Sequence, residues 1–115
     1  MGSQDLDIVS ATPASNNVLV AADYSELGTT VFASETYADF SLTAYNDLTL
    51  NSSGISNIST SSISKFGTRL SNDTDNSFGG TWGSAKTDAI YAYSVDETGT
   101  TRDPKLTITY THLSA

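Results

Sequence analysis

The sequence predicts an all-β fold, an antiparallel β-sandwich or jelly roll with one or two single-turn helices. Charged residues make up only 16% of the 115 residues, and Ser and Thr are abundant in their place. Thr and Tyr favour strands, whereas Ser, Asn, Asp and Gly favour turns. Short stretches of alternating apolar and polar residues recur along the chain with turn residues between them, which is the spacing of a sandwich.

The first half of the chain predicts four short strands and one helical turn. The four strand candidates are residues 5–11, 29–34, 36–43 and 44–51, and apolar and polar side chains alternate over much of the first, third and fourth. Residues 21–28 lack this alternation. Asp23 can cap a helical turn there, with Glu26 three residues later and Gly28 at its end.

The second half predicts a helical turn, a long loop and three more strands. Ile55 and Ile58 are three residues apart, which suits one helical turn with Ser52 or Ser53 as its cap. The strand candidates are residues 62–71, with a bulge near Lys65, residues 89–95 and residues 105–111. A polar loop with several glycines spans residues 72–88.

The final strand candidate, "KLTITYT", alternates without a fault and follows a proline. Leu106, Ile108 and Tyr110 share one face. This is a strongly specified strand, and we expect it to complete a sheet.

Charge and composition exclude several classes of protein. The net charge is −8 and the pI is about 4.1, so the surface repels nucleic acid and anionic lipid. Without Cys there is no disulfide or thiolate site. No apolar run reaches the roughly 20 residues that span a bilayer. We expect one domain at residues 5–112 between short tails, 1–4 and 113–115, and the opening Met-Gly-Ser resembles an artificial start.

Three stretches together carry a family resemblance. "LTLNSSGISNIS" (48–59), "SKFGTRLSND" (64–73) and "DETGTTRDPKLTITYT" (96–111) resemble the DNRLRE-type domains, a family of secreted β-domains. The resemblance implies a jelly-roll module on the surface of a bacterium, an archaeon or a phage virion. Some relatives of that family are grouped with carbohydrate-binding modules for alginate-like polysaccharides.

The chain departs from that family at its start. The strands and the basic stretch that name the family do not stand before Asp5, so the chain resembles the later part of such a domain. A sandwich that lacks strands exposes apolar surface and strand edges. A second copy, a donated strand from a partner or a compact closure of its own would each cover them.

Four residues are candidates for glycan binding. Trp82 lies between glycines in the long loop, and Tyr91 and Tyr93 share one face of a predicted strand. Exposed aromatic rings stack on sugars, but the same rings also cover a sandwich end or pack across strands. Arg69, near Lys65, could form a cationic spot for an acidic sugar or pair with one of the many carboxylates.

Two residues are candidates for metal binding. Asp73 and Asp75 place oxygen ligands two residues apart, as calcium loops do, although the glycine and the distant Glu of an EF-hand are absent. The alternative is an ordinary solvated turn. Apart from Ca²⁺ at this place, no cofactor is expected. The only histidine, His112, has no partners at catalytic or zinc spacing and fits a solvated tail.

The sequence thus leads to two functional hypotheses. The first is a non-catalytic extracellular module that binds a polysaccharide or a cell-surface glycan. The alternative is a structural or adhesive β-module of a filament, stalk or phage fibre that self-associates through strand edges. No arrangement of residues supports an enzyme. Neither nucleic-acid binding nor membrane insertion is expected.

Overall fold

The computed structural model describes residues 4–79, 83–85, 89–94, 96 and 98–112. Their centre is a three-stranded antiparallel sheet of β1 (Leu6–Ser10), β2 (Ala33–Glu35) and β3 (Phe66–Leu70), in the order β2-β1-β3. The strands predicted at residues 5–11 and 62–71 are therefore confirmed. The described residues are mostly non-helical and contain an antiparallel sheet, in agreement with the all-β prediction.

The described residues include four short helical segments, three between the strands and one after β3. Two are 3₁₀ helices, Ala21–Glu26 and Tyr37–Asp39, and two are α-helical turns, α1 (Ser52–Ser56) and α2 (Ser71–Thr74). The helical turns predicted within residues 21–28 and 52–60 are confirmed. α2 begins directly after β3, in a region that the sequence predicts to be loop.

Asn51 explains why α1 begins where it does. Its side-chain oxygen accepts a hydrogen bond from the Gly54 N–H at 3.0 Å, the usual role of an N-cap. Its side-chain amide donates to the Val31 carbonyl at 2.8 Å, and its backbone N–H donates to the Phe32 carbonyl at 2.7 Å. The expected caps, Ser52 and Ser53, are helical residues instead. Asn51 thus fastens the start of α1 to the chain that leads into β2.

The core is small and lies where the sheet meets α1. Val9 is completely buried, and Phe32 and Ala33 are 6% exposed. The rings of Phe32 and Phe66 meet edge to face at 6.2 Å between centroids. Gly54 lies so close that a Cβ on it would stand 2.9 Å from the Cβ of Phe32, so a glycine is needed for the contact of α1 with the core.

The central strand buries a carboxylate. Leu6 and Ile8 share one face of β1 as predicted, but they are only half-buried, whereas Asp7 and Val9 on the other face are buried. Asp7 lies opposite Ser34 and accepts a hydrogen bond from its hydroxyl at 2.8 Å. This bond satisfies part of the hydrogen-bonding capacity of the buried Asp7 carboxylate.

Several predicted strands are absent from the structure. Residues 36–43, predicted as a strand, contain a 3₁₀ helix, and Leu42 is 98% exposed. Residues 44–51, 89–94 and 105–111 form no strand either. The strand predicted at residues 29–34 is shifted and short, since β2 begins at Ala33. Alternation alone does not make a strand, because the backbone groups also need a hydrogen-bonded neighbour.

The molecule is extended for its length. The Cα radius of gyration is 16.1 Å, whereas a compact chain of this size has about 13 Å. The accessible surface is 8920 Å², against about 6,000 Å² for a compact monomer of this mass. A second sheet, the other layer of the predicted sandwich, is not formed by the residues described.

Candidate functional site at the open edge of the sheet

β3 has a neighbour on one side only. The Ser71 N–H donates to the Asp5 carbonyl at 3.0 Å, one residue beyond the opposed pair Leu6 and Leu70. In an antiparallel ladder, every second residue bonds to the same neighbouring strand. The residues of β3 whose backbone groups point away from β1 are therefore Phe66, Thr68 and Leu70. In the part of the chain that the structure describes, no strand pairs with them.

A shallow groove runs beside this open edge. Its volume is about 390 Å³. The groove is lined by three parts of the chain: the first 3₁₀ helix with the residue that follows it, β3, and the stretch from α2 to Phe78. The lining residues are Tyr24, Leu27, Thr68, Arg69, Leu70, Asn72, Asp73 and Phe78. Phe78 is half exposed and Tyr24 is 63% exposed, so apolar surface is open to solvent here.

One wall of the groove is a network around Arg69. The Arg69 Nε donates to Asp73 Oδ2 at 2.7 Å, and a second guanidinium nitrogen donates to the Asp73 carbonyl at 3.0 Å. The third nitrogen donates to the Gly28 carbonyl at 3.0 Å, and the Tyr24 hydroxyl donates to Asp73 Oδ1 at 2.5 Å. The network ties the first 3₁₀ helix and α2 to β3, and it leaves Arg69 engaged rather than free.

The electrostatics of this network are consistent with its geometry. The hydrogen bond from Arg69 lowers the pKa of Asp73, and the bond from Tyr24 acts in the same direction. The bond to Asp73 raises the pKa of the Tyr24 hydroxyl and of the Arg69 guanidinium. At neutral pH the wall is thus an ion pair with a neutral phenol, and it carries no net charge toward the groove.

Residues 105–111 are the second unpaired element. Leu106, Ile108 and Tyr110 are 57%, 49% and 79% exposed. They carry the strand pattern but bond to no neighbouring strand among the described residues.

The start of this element is anchored to the loop after β2. The Tyr45 hydroxyl donates to the Thr101 and Asp103 carbonyls at 2.8 and 3.0 Å, and the Lys105 Nζ lies 4.3 Å from the centroid of the Tyr45 ring. The segment is therefore held at one end, and its apolar face remains open.

The predicted glycan-binding residues that the structure describes have different surroundings. Trp82 lies outside the described residues. Tyr91 is 91% exposed, and Tyr93 is half exposed beneath Arg102, which stands 4.7 Å from the ring centroid and donates to its hydroxyl at 2.8 Å. Arg69 belongs to the network at the groove, so of the two uses expected for it the structure shows the ion pair with a carboxylate.

The predicted metal ligands have different surroundings. Both carboxylate oxygens of Asp73 accept hydrogen bonds from protein groups, so a cation there would compete with Arg69. Asp75 is exposed at the end of α2. Among the described residues, no three carboxylate or histidine side chains are grouped to hold a metal ion. His112 is exposed.

Sequence reasoning missed Tyr24 and Phe78 as parts of this site. The spacing of Arg69 and Asp73, four residues apart, is a signal that could have indicated their pairing once α2 was expected. Tyr24 is 49 residues away from Asp73 in the chain, and no local pattern joins them.

Every helix in the described ranges is too short and too polar to cross a bilayer. The chain matches no protein-family model, and neither a curated protein nor a solved structure shows significant similarity to it. The resemblance to DNRLRE-type domains stays a prediction, and the geometry of the open edge is the basis for assigning a function.

Proposed function

We propose that this protein is a structural β-module whose sheet is completed by association with another polypeptide chain. The observation that carries the proposal is the presence, in one chain, of an open strand edge on β3 and a strand-patterned segment, residues 105–111, that pairs with no strand among the described residues. An unpaired edge is a template for another chain, and soluble proteins usually protect such edges.

The exposed area supports this proposal. The accessible surface exceeds that of a compact monomer by roughly 3,000 Å², whereas a standard interface buries about 800 Å² on each partner. Exposed apolar side chains in the last described segment alone include Leu106, Ile108 and Tyr110. Association would bury such side chains and offset the loss of translational freedom.

The proposal fits the predicted setting of a filament, stalk or phage fibre on a cell or virion surface. Strands added by a partner at the edge of β3 would extend the three-stranded sheet toward the larger sheet that a sandwich or jelly roll needs. The net charge of −8 opposes contact between copies, so added salt would strengthen association by screening this repulsion.

Sedimentation velocity from micromolar to millimolar protein tests the proposal. We expect the weight-average mass to rise with concentration, and to rise further when salt is added at fixed concentration. A single monomeric species under all these conditions would rule out self-association and would leave only association with a different chain.

A second function, glycan binding without catalysis, is supported by one observation. Tyr91 presents nearly its whole ring to solvent, and Arg102 lies over the neighbouring Tyr93. Sugar rings stack on such exposed aromatic faces. Titration with neutral and acidic oligosaccharides, followed by tyrosine and tryptophan fluorescence, should show binding that Tyr91→Ala or Trp82→Ala weakens. No binding at millimolar sugar would reject it.

A further inference from the structure

We infer that the partner is a second copy of this chain, and that residues 105–111 of one copy add as a strand to the outer edge of β3 in the other. This inference rests on the proposed function and names the surfaces that meet. In its described parts each chain has both an open edge on β3 and a strand-patterned segment without a strand partner, so two copies can satisfy each other reciprocally.

The acceptor is the outer edge of β3. The N–H and C=O groups of Phe66 and Thr68 and the N–H of Leu70 point away from β1, while the Leu70 carbonyl already accepts a bond from the Thr74 hydroxyl at 3.2 Å. An added strand would supply bonds to the remaining groups and would lie along the groove.

The donor segment has the properties of such a strand. "KLTITYT" is rich in β-branched residues, contains no proline and is longer than the five residues of β3. Leu106, Ile108 and Tyr110 form one apolar face. In an added strand this face would pack beside the apolar groove lining, which includes Leu27 and Phe78.

Charge favours this occupant. Lys105 is the only side chain of the segment that is charged at neutral pH, and the rest of the chain is strongly acidic. The segment can therefore approach another copy without the repulsion that opposes contact between the acidic surfaces.

The anchor at Tyr45 holds the start of the segment in place within its own chain. Tyr45 follows β2, the strand at the opposite edge of the sheet from β3, and its hydroxyl holds the carbonyls of Thr101 and Asp103. The segment leaves from this anchor, and its own β3 edge remains unpaired. An edge on another copy can be reached without breaking the anchor.

Two proline variants test whether residues 105–111 of one copy pair with β3 of the other copy. Thr68→Pro removes an N–H that points away from β1, at an exposed position where an edge strand tolerates proline. Ile108→Pro removes an N–H from the donor segment, which pairs with no strand in the part of the chain that the structure describes. Ala92→Pro, at an exposed position of the other unpaired segment, is the matched control. Circular dichroism and thermal unfolding confirm that each variant keeps the monomer fold.

The two variants and their mixture give a specific pattern if the inference holds. Thr68→Pro and Ile108→Pro should each weaken self-association about tenfold or more, since each breaks one side of both contacts. An equimolar mixture should associate better than either variant alone, because it restores one intact donor–acceptor pair. Ala92→Pro should associate as the wild type does.

Other outcomes of these association measurements contradict the proposed pairing of residues 105–111 with β3 of another copy. Sensitivity to Thr68→Pro alone would indicate that two β3 edges pair with each other, and sensitivity to Ile108→Pro alone would indicate pairing between two C-terminal segments. If the wild type associates and neither variant matters, another surface is used and the proposed function still stands. If the wild type never associates with itself, this inference fails, and the proposed function then requires a different chain as the partner. Should a proline variant unfold, Thr68→Lys and Ile108→Lys repeat the test, with the same pattern required.

Discussion

The region from residue 4 to residue 79 and the region from residue 89 to residue 112 use the same sequence pattern with different results. β1 alternates and has a hydrogen-bonded strand on each side, with Val9 completely buried. Residues 105–111 alternate more regularly, yet Ile108 is 49% exposed and no strand forms. Both stretches alternate apolar and polar residues, so the difference between them is whether a neighbouring strand is available for backbone hydrogen bonds.

This comparison shows what alternation determines and what it does not. It places side chains on one face or the other, since successive residues of an extended chain point to opposite sides. It does not supply the strand that accepts the backbone hydrogen bonds. β1 obtains its neighbours from β2 and from β3, and β3 lies some 60 residues further along the chain. For residues 105–111 we propose that the neighbour is in another molecule.

The largest expected contrast between the regions comes from removing one apolar side chain in each. Phe32→Ala leaves a cavity beside Phe66 and Gly54 and should lower the free energy of unfolding by about 3 kcal/mol or more. Ile108→Ala should leave it almost unchanged at low protein concentration. Urea denaturation of dilute protein measures both. Equal losses would mean that residues 105–111 belong to the core of the monomer.

The next effect concerns the cap of α1. Asn51→Ala removes the bond to the Gly54 N–H and the bond to the Val31 carbonyl, so we expect a loss of about 1–2 kcal/mol in the free energy of unfolding. Ser53→Ala, at a position that the sequence indicates equally well as a cap, should have little effect. A larger loss for Ser53→Ala would contradict the assignment of the cap.

The network around Arg69 predicts that the stability of the fold depends on pH in the acidic range. Because the folded state lowers the pKa of Asp73, its contribution to stability is present above pH about 4 and is lost as pH falls through the lowered value. Asp73→Asn should reduce stability by about 1–2 kcal/mol at neutral pH and flatten the acid limb of the stability curve. Asp75→Asn, which removes an exposed carboxylate, is the control and should leave that limb in place.

The smallest effect is expected at Tyr24. The hydrogen bond to Asp73 raises the pKa of the Tyr24 hydroxyl, so this bond stabilises the fold below pH about 10 and is lost as pH rises through the higher folded value. Tyrosinate absorbance of the wild type should include a component that ionises late, and Tyr24→Phe should remove it.

Local signals predicted the elements whose causes are local. The helical turn around Ile55 was expected from spacing, and β1 and most of β3 from alternation. The sequence predicts the cap of α1 at Ser52 or Ser53, one or two residues after the observed cap, because Asn51 and these serines are all good caps. The hydrogen bonds to Val31 and Phe32 that select Asn51 are not local in the sequence. The 3₁₀ helix Tyr37–Asp39 replaces an expected strand, and the Tyr37 N–H donates to the Asp5 carboxylate at 2.9 Å instead of to a neighbouring strand.

The candidate site is harder to predict from the sequence than the strands and helical turns are. Pairing of Arg69 with a carboxylate was one of two expected uses, but the choice of Asp73 depends on the turn from β3 into α2. The contact of Tyr24 with Asp73 depends on the tertiary fold. The open edge of β3 could not be identified before the strand order was known, since an edge is defined by a neighbour that is missing.

Amide hydrogen exchange measured at several protein concentrations tests the partner-dependent strand most directly. We expect the amides of Thr68 and Ile108 to exchange rapidly in dilute protein and to become protected together as the mass of the protein rises, while the Val9 amide is protected throughout. If the mass rises and both amides still exchange rapidly, residues 105–111 do not pair with β3 of another copy. Full protection of Ile108 in a dilute monomer would equally contradict the account.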